Sequence, residues 1–239
     1  MDKNISRRFN DLLLSNNFVK HKKYYFRIIN NNVFQTIGLV YKANLWHLTF
    51  DSIILDVVED LETMLKFLEL VHDGYDIASL LNQENSCYSK EQAMAILNEE
   101  IIYKLNELKD VKTHLNFFEN ELFVDDGAIC SAPYLYYLYN NDYERAEYTY
   151  SEILDVEIDR IVSWRLDDII WKERRTKNEF VLEQMYKQYL NDKEMLVKIR
   201  NKESFTEYFN NNYLKNIKII KNYYGEKKLK KFGALYVKN

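Results

Sequence analysis

Proline and glycine are nearly missing from this chain: Pro133 is the only proline in 239 residues, and there are five glycines. Proline breaks a helix from within and glycine weakens one, so their scarcity permits long helices joined by short loops. The same scarcity argues against a sandwich or barrel, which needs many Gly/Pro turns. Isolated glycines also build no phosphate cradle or nucleophile elbow, and no GxGxxG, GxxxxGKS/T or GxSxG run occurs. Nucleotide-dependent chemistry of the usual kinds is therefore not expected. Cys87 and Cys130 stand far apart with no CxxC spacing, and read as reduced, buried thiols of an intracellular protein. No apolar run approaches the ~20 residues that cross a bilayer. No apolar core follows the first eight residues as it would in a signal peptide. The expectation is a soluble, cytoplasmic, bacterial protein with no membrane partner.

What the chain does have is charge sorted by position. Residues 1–27 carry seven Lys/Arg against two Asp/Glu, and residues 198–239 carry eleven against three. Residues 28–197 carry 15 against 32, so a net charge of only −4 hides an acidic middle between two basic ends. Such asymmetry speaks to partners, solubility and self-association rather than to fold. An apolar fraction of 47%, with 15% aromatic, supports a real core.

The hydrophobic period changes once along the chain. Ile5, Phe9, Leu12 and Leu13 mark a short amphipathic helix over 4–16, stopped at Asn16-Asn17 because Asn tolerates the left-handed conformation. Three β-rich runs follow, at 24–29, 33–40 and 45–50, split by Asn30-Asn31-Asn32 and Lys42-Ala43-Asn44. They read as a three-stranded antiparallel meander and the only sizeable sheet. From Asp56 onward the period is near 3.6. A helix through Leu61, Met64, Leu65 and Leu68 ends near His72-Asp73-Gly74, and Ser89 with Gln92 forms a capping box before a helix to about Leu108. Ser131-Ala132-Pro133 starts another helix. A long helix from Asp142 to about Arg175 carries Tyr150, Leu154, Ile158, Val162, Leu166 and Ile170 at i+4 steps. Helices at 178–200, 203–211 and 213–224 follow. The tail 225–239 reads as a small added strand or as disordered. The fold expected is α+β and mainly helical: residues 1–55 helix and meander, 56–224 helical body, 225–239 basic tail, in one continuous globular unit. A Tyr-x-x-Ala match between Tyr75–Ala78 and Tyr143–Ala146 has no counterpart midway, so no repeat is expected.

The first sixty residues resemble an uncharacterised bacterial family, the domain of unknown function 4304 group. The resemblance rests on Leu12-Leu13-Leu14-Ser15-Asn16-Asn17-Phe18-Val19-Lys20, Tyr24-Tyr25-Phe26-Arg27, Val33-Phe34-Gln35-Thr36-Ile37-Gly38-Leu39 and Leu48-Thr49-Phe50. That family shows a helix, a Gly-Phe-Lys-Lys turn, an aromatic-Arg strand and a Val-x-Gln-x-Ile strand. Here Asn17 stands where glycine is usual, and Val19 interrupts the lysine pair. The resemblance covers about a quarter of the chain, implies an α+β start and assigns no activity.

Candidate chemistry is sparse. His21, His47, His72 and His114 are scattered without metal-ligand spacing, so structural roles are expected, with no metal and no cofactor. No catalytic residue is singled out. Asp125-Asp126, Asp167-Asp168 and the Asp155/Asp159 couple could serve a metal-dependent hydrolase, though paired carboxylates on helices are more often a solvated face. Seven of the twenty tyrosines fall between Tyr134 and Tyr150. No single helix face buries them all, and Tyr suits recognition surfaces. Trp164 and Trp171 share a helix face offset from the Leu/Ile stripe. Tyr136, Tyr139, Tyr143, Trp164 and Trp171 are therefore the candidate partner-binding residues. Lys227, Lys228, Lys230 and Lys231, interleaved with aromatics, are the alternative, an anion site for nucleic acid. Docking of that tail onto the protein's own acidic middle is the simpler expectation. The leading function is a non-enzymatic protein–protein interaction module, of immunity or antitoxin type, whose acidic Tyr-rich helical surface covers a basic partner. Nucleic-acid binding through the basic ends is second, and a metal-dependent hydrolase third.

Overall fold

Tyr24-Tyr25-Phe26-Arg27-Ile28-Ile29 alternates bulky groups to both sides of a strand, and both sides are covered. The computed structural model describes residues 3–22, 24–42, 45–72, 85–87, 89–117, 119, 133–170 and 175–232. Their side chains are described except at 3–6, 40–42, 45–47, 67–72, 85–87, 133, 157, 164–170 and 175–180. Of the described residues, 70% are helical, and the fold is α+β. The chain divides into two compact units: Met1–Val124 with Tyr208–Asn239, and Asp125–Glu207. These boundaries differ from the segments 1–55, 56–224 and 225–239 drawn from the sequence.

In unit 1, helix α1 (Lys3–Ser15) leads into strands β1 (Val19–His21), β2 (Tyr24–Ile29), β3 (Val33–Lys42) and β4 (Leu45–Ile54). Helix α2 (Leu61–His72), strand β5 (Asn85–Cys87) and helix α3 (Lys90–Ile96) follow. A π-helical turn (Leu97–Ile101), α4 (Ile102–Glu107) and α5 (Val111–Phe117) come next. The sheet order is β1-β2-β3-β4-β5, every pair antiparallel. The expected meander is β2–β4, and two three-residue strands extend it at the edges. Strands that short carry no period a sequence can show. Asn30 and Asn31, with φ of 51° and 58°, turn β2 into β3. Two successive left-handed residues match the twist of a hairpin.

Because side chains alternate across a strand, the sheet feeds two cores. On one face Tyr25, Ile37, Leu48 and Phe50 pack with Phe9 and Leu13 of α1, Leu97 and Ile101 of the π turn, and Leu105 of α4. On the other, Tyr24, Phe26, Phe34 and Ile53 pack with Leu61 and Leu65 of α2 and with the chain's C-terminal segment. That segment is one helix, here called α9 (Thr206–Tyr224), where two helices at 203–211 and 213–224 were expected. Its middle residue Asn216, being buried, donates from Nδ2 to the carbonyls of Leu55 and Val58, each at 2.7 Å, instead of breaking the helix. The expected strand or disorder at 225–239 is replaced, as far as Phe232, by a short helix, α10 (Glu226–Leu229), and a 3₁₀ turn (Lys230–Phe232). Leu229 at 4% exposure and a half-buried Phe232 explain this, because burying them against β2 requires a compact turn.

Unit 2 contains α6 (Pro133–Tyr139), α7 (Tyr143–Ile170) and α8 (Arg175–Arg200). Helices α7 and α8 form an antiparallel hairpin. Tyr143 donates from its hydroxyl to the Glu203 carbonyl at 3.0 Å, Arg200 Nε to Glu147 at 2.7 Å, and the Tyr150 hydroxyl to Asp192 at 2.6 Å. The expected start at Ser131-Ala132-Pro133 lies at α6, with Pro133 as its first residue. Cys130 lies outside the described residues, as does the side chain of Cys87.

Candidate functional site

The most chemically organised group lies inside unit 1. Arg27, Gln35 and Ser52 are direct cross-strand neighbours on β2, β3 and β4, all nearly inaccessible. Arg27 donates from Nε to Gln35 Oε1 at 2.8 Å, from one terminal nitrogen to the Asn16 carbonyl at 3.0 Å, and from the other to Asn106 at 2.8 Å. Gln35 Nε2 donates to Ser52 Oγ at 3.0 Å and to the carbonyls of Leu105 and Leu108. Ser52 Oγ and His114 Nε2 are 2.8 Å apart, and His114 Nδ1 is 2.8 Å from the Asp110 carbonyl. A carbonyl can only accept, so Nδ1 carries the proton and Nε2 accepts from the Ser52 hydroxyl. Burial pushes the His114 pKa down to about 4, against a smaller upward pull from Asp110, so the ring is neutral at pH 7.

A hydroxyl facing a neutral, oriented imidazole is the arrangement of a nucleophile and its base. Here it does other work. Ser52 is 7% and His114 2% exposed, and a surface groove of about 580 Å³ lies elsewhere, between α1 and α3, lined by Arg8, Asp11, Leu12, Glu91 and Met94. The network joins the strands to the α4–α5 connection and gives the buried Arg27 charge its acceptors. Burial lowers the Arg27 pKa to about 10, leaving it protonated at neutral pH, and its guanidinium carbon lies 4.4 Å from the centre of the Phe18 ring. The pairing was not visible in the sequence, because Ser52 and His114 are 62 positions apart. The one available signal was Gln35 and Arg27 inside otherwise apolar strands.

The candidate surface residues divide. Tyr136, expected on a partner surface, is 5% exposed, and Tyr134, Tyr137 and Tyr150 are buried with it. Tyr134 and Tyr150 pack ring to ring at 4.5 Å. Tyr139 and Tyr143 are half-buried. Trp171 lies outside the described residues, and Trp164 is placed on α7 with its side chain outside them. Tyr148, by contrast, is 67% exposed.

Around Tyr148, α7 presents one continuous exposed face: Glu144, Tyr148, Glu152, Asp155, Asp159 and Val162 are all exposed. At 100° per residue these six fall within about 80° of one another. Glu152 bonds the Tyr148 phenol and raises its pKa. The exposed Val156 and Ile158 flank the face on either side. Asp155 and Asp159 are thus on a solvated acidic face. Among the described residues, no three His, Cys, Asp or Glu side chains are grouped to hold a metal ion. Asp125 and Asp126 lie outside the described residues, as do the side chains of Asp167 and Asp168.

The described part of the basic tail, residues 225–232, docks on the protein through Leu229 and Phe232 rather than through ion pairs. Among the described residues, no carboxylate pairs with Lys227, Lys228, Lys230 or Lys231. Lys228 instead donates to His21 Nδ1 at 3.0 Å. This corrects the expectation of docking by charge onto the acidic middle. No described helix is long and apolar enough to cross a membrane. Comparison with known proteins finds no matching family model, no matching curated protein and no matching solved structure.

Proposed function

We propose that this protein is a non-enzymatic interaction module that covers a basic protein partner, in the manner of an immunity or antitoxin protein. The observation that supports the reading is the exposed α7 face with four carboxylates, Tyr148 and Val162, bordered by Arg145, which pairs with Asp142. Carboxylates steer a basic partner and fix its register, while Tyr148 and Val162 supply apolar area at the contact. The acidic groups remain hydrated in the isolated protein, where each i,i+4 repulsion among them costs only about 0.2–0.5 kcal/mol.

The test reverses the charge of the face. The Glu152→Lys/Asp155→Lys/Asp159→Lys variant and the parent are immobilised in parallel and exposed to host extract. The parent should retain one basic protein in stoichiometric amount. Purified, that protein should bind the variant at least about tenfold more weakly, or about 1.4 kcal/mol. Equal binding to both forms would contradict the proposal.

A further inference from the structure

We propose that the corner of unit 1 built from β1 and α10 binds the phosphate backbone of single-stranded nucleic acid. Two segments from opposite ends of the chain meet there. Lys228 of α10 hydrogen-bonds His21 of β1 across 207 positions of sequence. Lys22, just beyond β1, places its Nζ 5.6 Å from the centre of the Tyr223 ring at the end of α9. Lys227, Lys230 and Lys231 stand exposed on the adjoining turns. One lysine of the N-terminal segment, Lys22, thus joins the lysines of the C-terminal turns in one patch.

The patch sits on anchored chain. Leu229 is buried, and the Phe232 ring lies 5.4 Å from that of Phe26 on β2. Tyr24 and Tyr224 hydroxyls, 3.0 Å apart, tie β2 to α9 beneath it. Ammonium groups carried on a fixed segment lose little freedom when an anion arrives. Glu226 is the one acidic residue on these turns, and the four lysines of α10 and the 3₁₀ turn have no carboxylate partner among the described residues.

Aromatic rings favour a single strand as occupant. Tyr223 and Phe232 are half-buried, each keeping part of its surface exposed among the lysines. Single strands are held by ammonium groups along the backbone with aromatic rings for bases to stack on, and every base offers a π-face. A duplex keeps its bases stacked on one another, and an acidic peptide need carry no flat ring at all.

The probe is a fluorescent, mixed-sequence, single-stranded DNA of about 20 nucleotides, with the RNA of the same sequence in parallel, titrated by anisotropy over a range of salt. Affinity should fall as salt rises. The Lys227→Gln/Lys230→Gln/Lys231→Gln variant spares the Lys228–His21 bond and should melt with the parent. Its slope of log K against log salt should be shallower by about 2, since each lost phosphate contact on a single strand removes about 0.7. An unaltered protein that fails to bind at low salt, a variant with the parent's slope, or equal affinity for a duplex would each overturn the proposal. Salt-sensitive self-association in sedimentation velocity, without oligonucleotide binding, would do so by giving the patch to a second copy of the chain.

Discussion

Asp51 lies on β4 opposite Thr36, fully enclosed, with neither carboxylate oxygen bonded. Burial raises its pKa from 3.8 to about 8. Between those values the folded state binds more protons than the unfolded one, so this group makes stability fall as pH rises from about 4 to 8. His114, on the opposite face of the sheet, is lowered from 6.5 to about 4. There the unfolded state binds more protons, and stability rises across that window. The two effects oppose each other below pH 6.5, and only the Asp51 decline remains above it. Urea unfolding should therefore show the parent losing about 2 kcal/mol between pH 6.5 and 8, at 1.36 kcal/mol per pH unit. Asp51→Asn should abolish that decline. The slope is the readout, because an amide at this position is also buried. A decline of the same size in the variant would refute the assignment. None of this was legible in the sequence: an Asp in Thr49-Phe50-Asp51-Ser52-Ile53 reads as the polar side of a half-exposed strand, and helices on both faces make it an interior group.

Helix ends were legible and helix faces less so. Asn17, with φ of 64°, ends α1. The Phe18 N–H reaches the Leu13 carbonyl at 3.0 Å and the Asn17 N–H the Leu14 carbonyl at 3.2 Å. This is the bonding of a left-handed helix stop, with Leu13 and Phe18 both buried beside it. Asn17→Gly should be tolerated or slightly stabilising, since glycine takes that conformation freely. Asn17→Val should cost about 1–2 kcal/mol, the penalty for a left-handed residue with a side chain. Equal melting of the two variants would contradict the account. The Ser89/Gln92 capping box is present with both of its bonds. Runs of i+4 spacing, however, misled. Each such step turns about 40° around a 3.6-residue helix. Tyr150 and Leu154 are buried while Ile158 and Val162, on the same run, are 39% and 50% exposed. The helix expected from Ser89 to Leu108 has the same spacing at Ala93, Leu97, Ile101 and Leu105, all buried. There the wider π turn at Leu97–Ile101 absorbs the drift and keeps all four on the sheet.

Across the whole molecule, the charge sorted along the sequence is sorted again by folding. The basic N-terminal segment and the lysines from Lys215 onward belong to unit 1, while Lys198, Arg200 and Lys202 belong to unit 2 with the acidic face of α7. The sequence made the asymmetry plain. It could not show that the ends meet, because the contacts joining them, Tyr24–Tyr224, His21–Lys228 and Phe26–Phe232, span about 200 positions. Nor could it choose among the tyrosines, since Tyr136 and Tyr148 look alike until α6 and α7 pack. The central claim is that the α7 face receives a basic partner. Site-directed photo-crosslinking in the host tests this most directly, with p-benzoylphenylalanine replacing Tyr148 or, in a separate variant, Tyr103. Tyr103 is 63% exposed on α4 of unit 1 and serves as the control. The account predicts an adduct with one basic protein from position 148 and none from position 103. No adduct at 148, or the same adduct from both positions, would contradict it.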